Sequence, residues 1–211
     1  KQVIQSQSNN HLYLTLNYDN SLQDISTIVY EPISRRVKQT LQTHTPGGSL
    51  NLVTINKRYS YDHVGRVKQA WQKNNADPEV LVSQLNYNEL GKPIERNIHS
   101  EDNGLTFLQS VDYRFNIRGW LLGINNSTLS NNSNEPTDLF GMNLAYDENP
   151  DGLATPRYNG DISSFKWKVN NTEKIEKAYN YEYDKIGQLV TSAYHEKNSS
   201  GWTSTDKFSE R

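Results

Sequence analysis

The sequence predicts an all-β protein, an antiparallel meander of hairpins forming a curved or spiralling sheet, and three observations predict it. A five-residue pattern of aromatic residue, Asp or Asn, two free residues and Gly recurs along the 211-residue chain. Its turn glycines return at a period near 27. Looser polar turns lie between them, so each period holds two strands and two turns, as strands of roughly 3 to 10 residues require.

The pattern stands at Tyr61-Asp62-His63-Val64-Gly65, Tyr87-Asn88-Glu89-Leu90-Gly91, Phe115-Asn116-Ile117-Arg118-Gly119 and Tyr183-Asp184-Lys185-Ile186-Gly187. Residues two apart, such as Tyr59 and Tyr61 or Tyr181 and Tyr183, share one face of a strand and make an aromatic stripe. Asp or Asn at the first turn position bonds its own backbone, and Gly three residues later accepts the left-handed conformation that follows a type I turn. Together they predict a hairpin closed by a bulge at the glycine. The return strands then resume at Arg66-Val67, Trp120-Leu121 and Gln188-Leu189.

Gly65, Gly91 and Gly119 are spaced by 26 and 28 residues, and Gly187 follows 68 residues later. That gap contains Tyr158-Asn159-Gly160-Asp161-Ile162, where Asn159-Gly160 between strand-like residues predicts a further hairpin. Taking Gly160 as a turn marker leaves 27 residues to Gly187, which restores the period. The surplus falls on the polar Asn/Ser-rich run 125–138, read as an inserted loop. Its Asn-x-Ser/Thr sequences at Asn125, Asn126 and Asn131 read as accidents of that composition. The intervening turns are expected at 73–78, 101–104 and 196–201.

These readings make the chain one repeat segment. Residues 1–54 are expected to form irregular strands, with a degenerate start at Asn17-Tyr18-Asp19 and a separate turn at Pro46-Gly47-Gly48. Residues 55–195 carry the clear repeats, and 196–211 begin a further one, whose turn glycine would fall just past Arg211. The chain is therefore expected to be part of a longer polypeptide, and its last strand to leave an edge open for pairing.

Composition narrows the function classes. Only 34% of residues are hydrophobic, with mean hydropathy -0.85, yet thirteen Tyr, four Trp and a net charge of -2 do not fit a disordered chain. A sheet with a large surface for its volume reconciles these facts, since Tyr offers an apolar ring and a wet hydroxyl. The near balance of 22 basic and 24 acidic residues gives no footprint for nucleic acid. With no Cys there is no disulfide or thiolate metal site. No apolar run approaches the roughly 20 residues that span a bilayer, and any targeting signal is expected to have been removed or to lie outside this segment.

No catalytic residue, cofactor or metal is expected. His11, His44, His63, His99 and His195 show no helical zinc spacing, and no nucleophile elbow or phosphate loop occurs. Asp147-Glu148-Asn149-Pro150-Asp151-Gly152 opens like a calcium loop, but Tyr158 stands where the bidentate Glu is needed, so it reads as a solvated turn. Asp112 paired with another acid is the one glycosidase-like thought, and nothing in the sequence supports it. Trp71, Trp120, Trp167 and Trp202 fall on strand-like segments in step with the repeat, which favours packing between hairpins over sugar stacking.

The aligned segments resemble the YD repeat of the bacterial RHS and teneurin-like superfamily, whose signature is close to Tyr-Asp-x-x-Gly-Arg-Leu. Tyr61 to Val67, including Arg66, matches almost fully, whereas Lys92, Trp120 and Gln188 replace the Arg elsewhere. Leu139-Phe140-Gly141-Met142-Asn143-Leu144 and Tyr158 to Ser163 resemble a Gram-negative branch. The resemblance implies hairpins spiralling into a hollow shell around a C-terminal toxin or effector, on a secreted or cell-surface protein. The family's self-cleaving aspartate motif has no match here. The expected partners are therefore the remainder of the parent polypeptide, its neighbouring repeats and its toxin, and a glycan or cell-surface partner under the alternative reading as an adhesin module.

Overall fold

Segments rich in Val, Ile, Thr and Tyr, cut at intervals by Gly, Asn and Asp, produce among the described residues fifteen β-strands and no helix. The structure is a computed structural model that describes residues 2–8, 11–19, 22–45, 52–130, 137–149 and 151–210, with backbone alone for 2–24, 45 and 206–210. Strand order follows chain order, so the sheet is an antiparallel meander with β1 and β15 at its edges, and it is not closed. The chain divides into two compact units, Lys1–Asn86 with Arg96–Leu108, and Tyr87–Glu95 with Gln109–Arg211.

The first unit holds β1 (Gln2–Ser8), β2 (His11–Asp19), β3 (Leu22–Tyr30), β4 (Val37–Thr45), β5 (Val53–Tyr61) and β6 (Val67–Asn74). The residues of β7 (Val80–Tyr87) and β8 (Pro93–Ser100) divide between the units. In the 1–54 segment the pairings of β2 with β3 and of β3 with β4 each contain a register shift, while two others run without one. β1 pairs with β2 without a register break from Gln2–Asn17 to Ser8–His11, and β4 pairs with β5 from Gln39–Arg58 to His44–Val53. Asn17-Tyr18-Asp19 lies at the end of β2, with a register shift between Asn17 and Asp19. Pro46-Gly47-Gly48 lies outside the described residues.

The second unit holds β9 (Gln109–Phe115), β10 (Leu121–Ile124), β11 (Phe140–Ala145), β12 (Ser164–Val169), β13 (Glu176–Tyr183), β14 (Leu189–Asn198) and β15 (Gly201–Glu210). Here the faces of the sheet differ in kind. One face carries Met142, Phe165, Trp167, Tyr179, Tyr181 and Tyr194, brought together by the pairs Met142–Trp167, Phe165–Tyr179 and Tyr179–Tyr194. Its rings stack, Phe165 on Trp167 at 4.8 Å and Trp167 on Tyr179 at 5.6 Å, with Tyr194 tilted against Tyr179 at 5.3 Å. Such aromatic pairs, within β12 and across to β13 and β14, each add about 0.5–1.5 kcal/mol beyond burial. Burial pushes the Tyr194 phenol up to about 12, and its hydroxyl donates to Glu196.

The other face is polar and more deeply covered. Along β13, Glu176, Ala178 and Asn180 are buried while Lys177, Tyr179 and Tyr181 are half-buried. The cover comes from two connections. Ser127, after β10, donates to Glu176 at 2.9 Å and accepts from Asn143, while Asp151, after β11, pairs with Lys166. Lys197 completes the Glu176 carboxylate at 3.0 Å. A buried carboxylate needs these partners, because leaving one unpaired costs about 3–5 kcal/mol. The described part of 125–138, residues 125–130 and 137–138, contains no strand.

Candidate functional site: interlocked hairpin turns

Four turns share one geometry. Asp62, Asn88, Asn116 and Asp184 each donate a backbone N–H to the residue four positions on, Arg66, Lys92, Trp120 and Gln188, at 2.9–3.0 Å. Gly65, Gly91, Gly119 and Gly187 donate back to the Asp or Asn carbonyl at 2.9–3.2 Å. The side-chain Oδ1 accepts the N–H that follows the glycine, at 2.9 Å in three turns and 2.8 Å at Asp184. The glycines sit at φ of 93, 83, 81 and 84°, where a Cβ is strained. Asn therefore replaces Asp freely, since the turn uses the acceptor oxygen and not the charge.

Asp62 adds a charge contact, accepting from Arg66 Nε at 2.6 Å. Partial desolvation raises its carboxyl, but the Arg66 backbone N–H, the Arg66 guanidinium and the Gly65 N–H outweigh that and hold it at about 2.

Each hairpin with a described register also carries a bulge one residue into the return strand. Tyr61 pairs with Val67 and Ser60 with Gln69, skipping Lys68; Phe115 and Tyr183 likewise skip Leu122 and Val190. The bulge predicted at the glycine is thus joined by a second, which sharpens local twist.

Several turns are linked to a neighbour by one side chain, which for Lys92 and Trp120 is the residue after the turn glycine. The Arg36 guanidinium lies 5.7 Å from the Tyr61 ring and bonds Val64 O at 3.4 Å. Lys92 Nζ lies 4.6 Å from the Phe115 ring and bonds Gly119 O. Trp120 packs on Tyr146 at 5.1 Å, and Arg157 sits 4.9 Å from the Tyr183 ring. A Cβ on Gly65 would strike the Arg36 guanidinium, one on Gly119 would come within 2.6 Å of Lys92 Nζ, and one on Gly160 within 2.9 Å of Trp120. Gly65, Gly119 and Gly160 thus serve twice, by their backbone conformation and by leaving room for another residue's side chain, whereas Gly187 meets nothing within 4 Å.

A second link runs through tyrosine hydroxyls. Tyr61 donates to Val37 O at 2.6 Å, Tyr146 to Leu121 O at 3.0 Å and Tyr183 to Ile162 O at 2.8 Å. Burial, with Glu31 and Asp161 adding to it, raises the Tyr61 and Tyr183 phenols, so both remain donors. Tyr87 lies at the end of β7 and has an interaction of its own.

Two turns were hidden in the sequence. Tyr30-Glu31 to Arg36-Val37 closes β3 on β4 with Glu31 N–H to Arg36 O at 2.8 Å, and Arg35 at φ 59° takes the glycine's conformation. Its strand pairing skips Lys38 in the same way. Tyr146-Asp147 is the other, where the turn has grown into the connection 146–163. Asn159-Gly160 lies within that connection, so the hairpin expected there does not form. Its flanking residues have no partner strand, and Asn159 instead accepts from Asp161 N–H at 3.2 Å.

Asn75, inside the turn expected at 73–78, and Asn125, at the start of the run read as an inserted loop, also take a role that the sequence did not reveal. At φ of 48 and 49°, each extends its hairpin's ladder by one step, giving its N–H to Thr54 O or Asp112 O and taking the N–H of the same residue on Oδ1. The Asn125 amide also donates to Phe140 O. An Asn just after a strand-like run is the sequence signal for them, since Asn is enriched in the left-handed conformation.

The calcium-like opening is used for other purposes, with Asp151 on Lys166 and Asn149 accepting from Ala154 N–H. Among the described residues no group of three or more His, Asp or Glu side chains is arranged to hold a metal. No helix there is long and apolar enough to cross a membrane. The sequence matches no protein-family model, and it matches no curated protein.

Proposed function

We propose that this chain is a structural YD-repeat segment of a large secreted or cell-surface RHS-type protein. There it forms part of the wall of a β-shell that encloses or presents a C-terminal toxin or effector. The observation that carries this reading is the forward link between hairpins, in which Arg36, Lys92 and Trp120 each fill the aromatic and glycine site of the next turn. Such side chains are committed to holding repeats together. The aromatic rings of β12–β14 support the same reading, because they stack on one another and so offer few free faces to a sugar. Imaging the intact parent polypeptide tests it. Residues 1–211 should lie in the wall of a hollow sheet, and finding them as a separate module outside any enclosure would overturn the reading.

One observation favours the alternative of a partner-binding adhesin module. Within the second unit the turn tips Leu90, Ile117 and Ile186 are all strongly exposed, Ile117 at 98%, as is Tyr158 in the connection 146–163. Turn tips are ordinarily polar. Binding of the chain to glycans or cell surfaces that is lost in Ile117→Asp or Ile186→Asp would establish this role, whereas loss on Trp167→Ala alone would assign it to the aromatic face.

A further inference from the structure

The chain contains two Asn-Gly pairs, Asn103-Gly104 and Asn159-Gly160, and the fold treats their backbone nitrogens differently. Gly104 N–H is bound to Ser100 Oγ at 2.8 Å. Gly160 N–H has no acceptor among the described residues, and Asn159 is exposed. One contact activates the Asn159 amide. Asp161 N–H donates to Asn159 Oδ1 at 3.2 Å, polarising the carbonyl where negative charge would develop. The loop is held on both sides, by Arg118 Nη1 on Tyr158 O at 3.0 Å and by Trp120 against Gly160.

We propose that Asn159 is a site of spontaneous deamidation and that Asn103 is its protected counterpart. Gly160 N, having given its proton to solvent hydroxide, attacks Asn159 Cγ and forms the ring bond. The Cγ–Nδ2 bond then breaks, and ammonia leaves with a proton taken from water. Water opens the resulting succinimide at one of its two carbonyls, giving Asp or isoaspartate, with no oxidant or reductant involved. The products alter the array. Asn159 Nδ2 donates to Asp161 Oδ2 at 2.8 Å, and that carboxylate also holds Arg157 at 2.7 Å beneath the Tyr183 ring. Deamidation replaces the donor with a second carboxylate, which competes for Arg157 and loosens its stacking.

Incubation of the whole chain at mildly alkaline pH, followed by peptide mapping with mass spectrometry, tests this. Asn159 should convert about fivefold or more faster than Asn103, the rate penalty of first breaking one hydrogen bond. Ser100→Ala should speed conversion at Asn103, and Asn159→Gln should abolish conversion at 159. Equal rates at the two sites, or no acid form at 159, would overturn the proposal.

Discussion

The Tyr61 hydroxyl donates to the carbonyl oxygen of Val37 at 2.6 Å, joining the end of β5 to the first residue of β4, and Tyr183 repeats the contact on Ile162 O at 2.8 Å. Tyr61→Phe removes the donor while keeping the ring. It should destabilise the chain by about 0.5–1.5 kcal/mol in urea unfolding, the ordinary net worth of one hydrogen bond. Tyr183→Phe should cost a similar amount, and a neutral effect at both sites would show that the contact is incidental.

Asp62 makes stability depend on acid. Its folded carboxyl lies at about 2, below the value near 4 of a free aspartate, so its contribution is complete above about pH 4 and is lost as pH falls towards 2. Asp62→Asn keeps the acceptor that Asn88 and Asn116 use in their turns, so the hairpin should persist while that part of the acid dependence flattens. Asp62→Ala removes the acceptor of three backbone N–H groups and should destabilise more than Asp62→Asn at neutral pH.

Gly65 and Gly187 share a positive φ, but only Gly65 carries a neighbour's side chain. Alanine at either site is strained. At Gly65, Arg36 must also swing away and give up its stacking on Tyr61, which adds about 0.5–1 kcal/mol. Gly65→Ala should therefore cost more than Gly187→Ala, and the difference should vanish in an Arg36→Ala background. Additivity of the two changes in a double-mutant cycle would refute the link.

His195 on β14 should register mild acid. Burial lowers its imidazole below the ordinary range, so the neutral form is favoured in the fold. The stability it contributes is full above about pH 6.5 and declines as pH falls through its lower folded value. His195→Gln should flatten the stability profile below pH 6.5, as read by thermal unfolding across that range.

The tight turns were legible because their chemistry is local: Asp or Asn and Gly three residues apart settle a hairpin on their own. Tyr30 to Val37 was not legible, since Glu31 replaces the Asp and Arg35 adopts a glycine's backbone conformation, a choice made by the surrounding sheet. Tyr146-Asp147 was masked by the expansion of its turn into 146–163, which drew attention to Asn159-Gly160 instead. The links between hairpins lie beyond local reading altogether. Arg36 and Tyr61 are far apart in sequence, and Trp120 looked like a loss of the motif's Arg when it fills the same place with an indole. The polar face was equally hidden, because Ser127 and Asp151 reach it only once the long connections fold back.

The forward direction of these links has a consequence for how such an array changes size. At the joints made by Arg36, Lys92 and Trp120 a turn offers a socket to the side chain before it, so these three joints share one form although their plugs differ. A unit copied between two such joints would meet the same kind of socket, whereas a reversed unit would leave a plug without one. Growth by copying is thereby easy, and the array carries a sense of direction along its length in the way that a zip does.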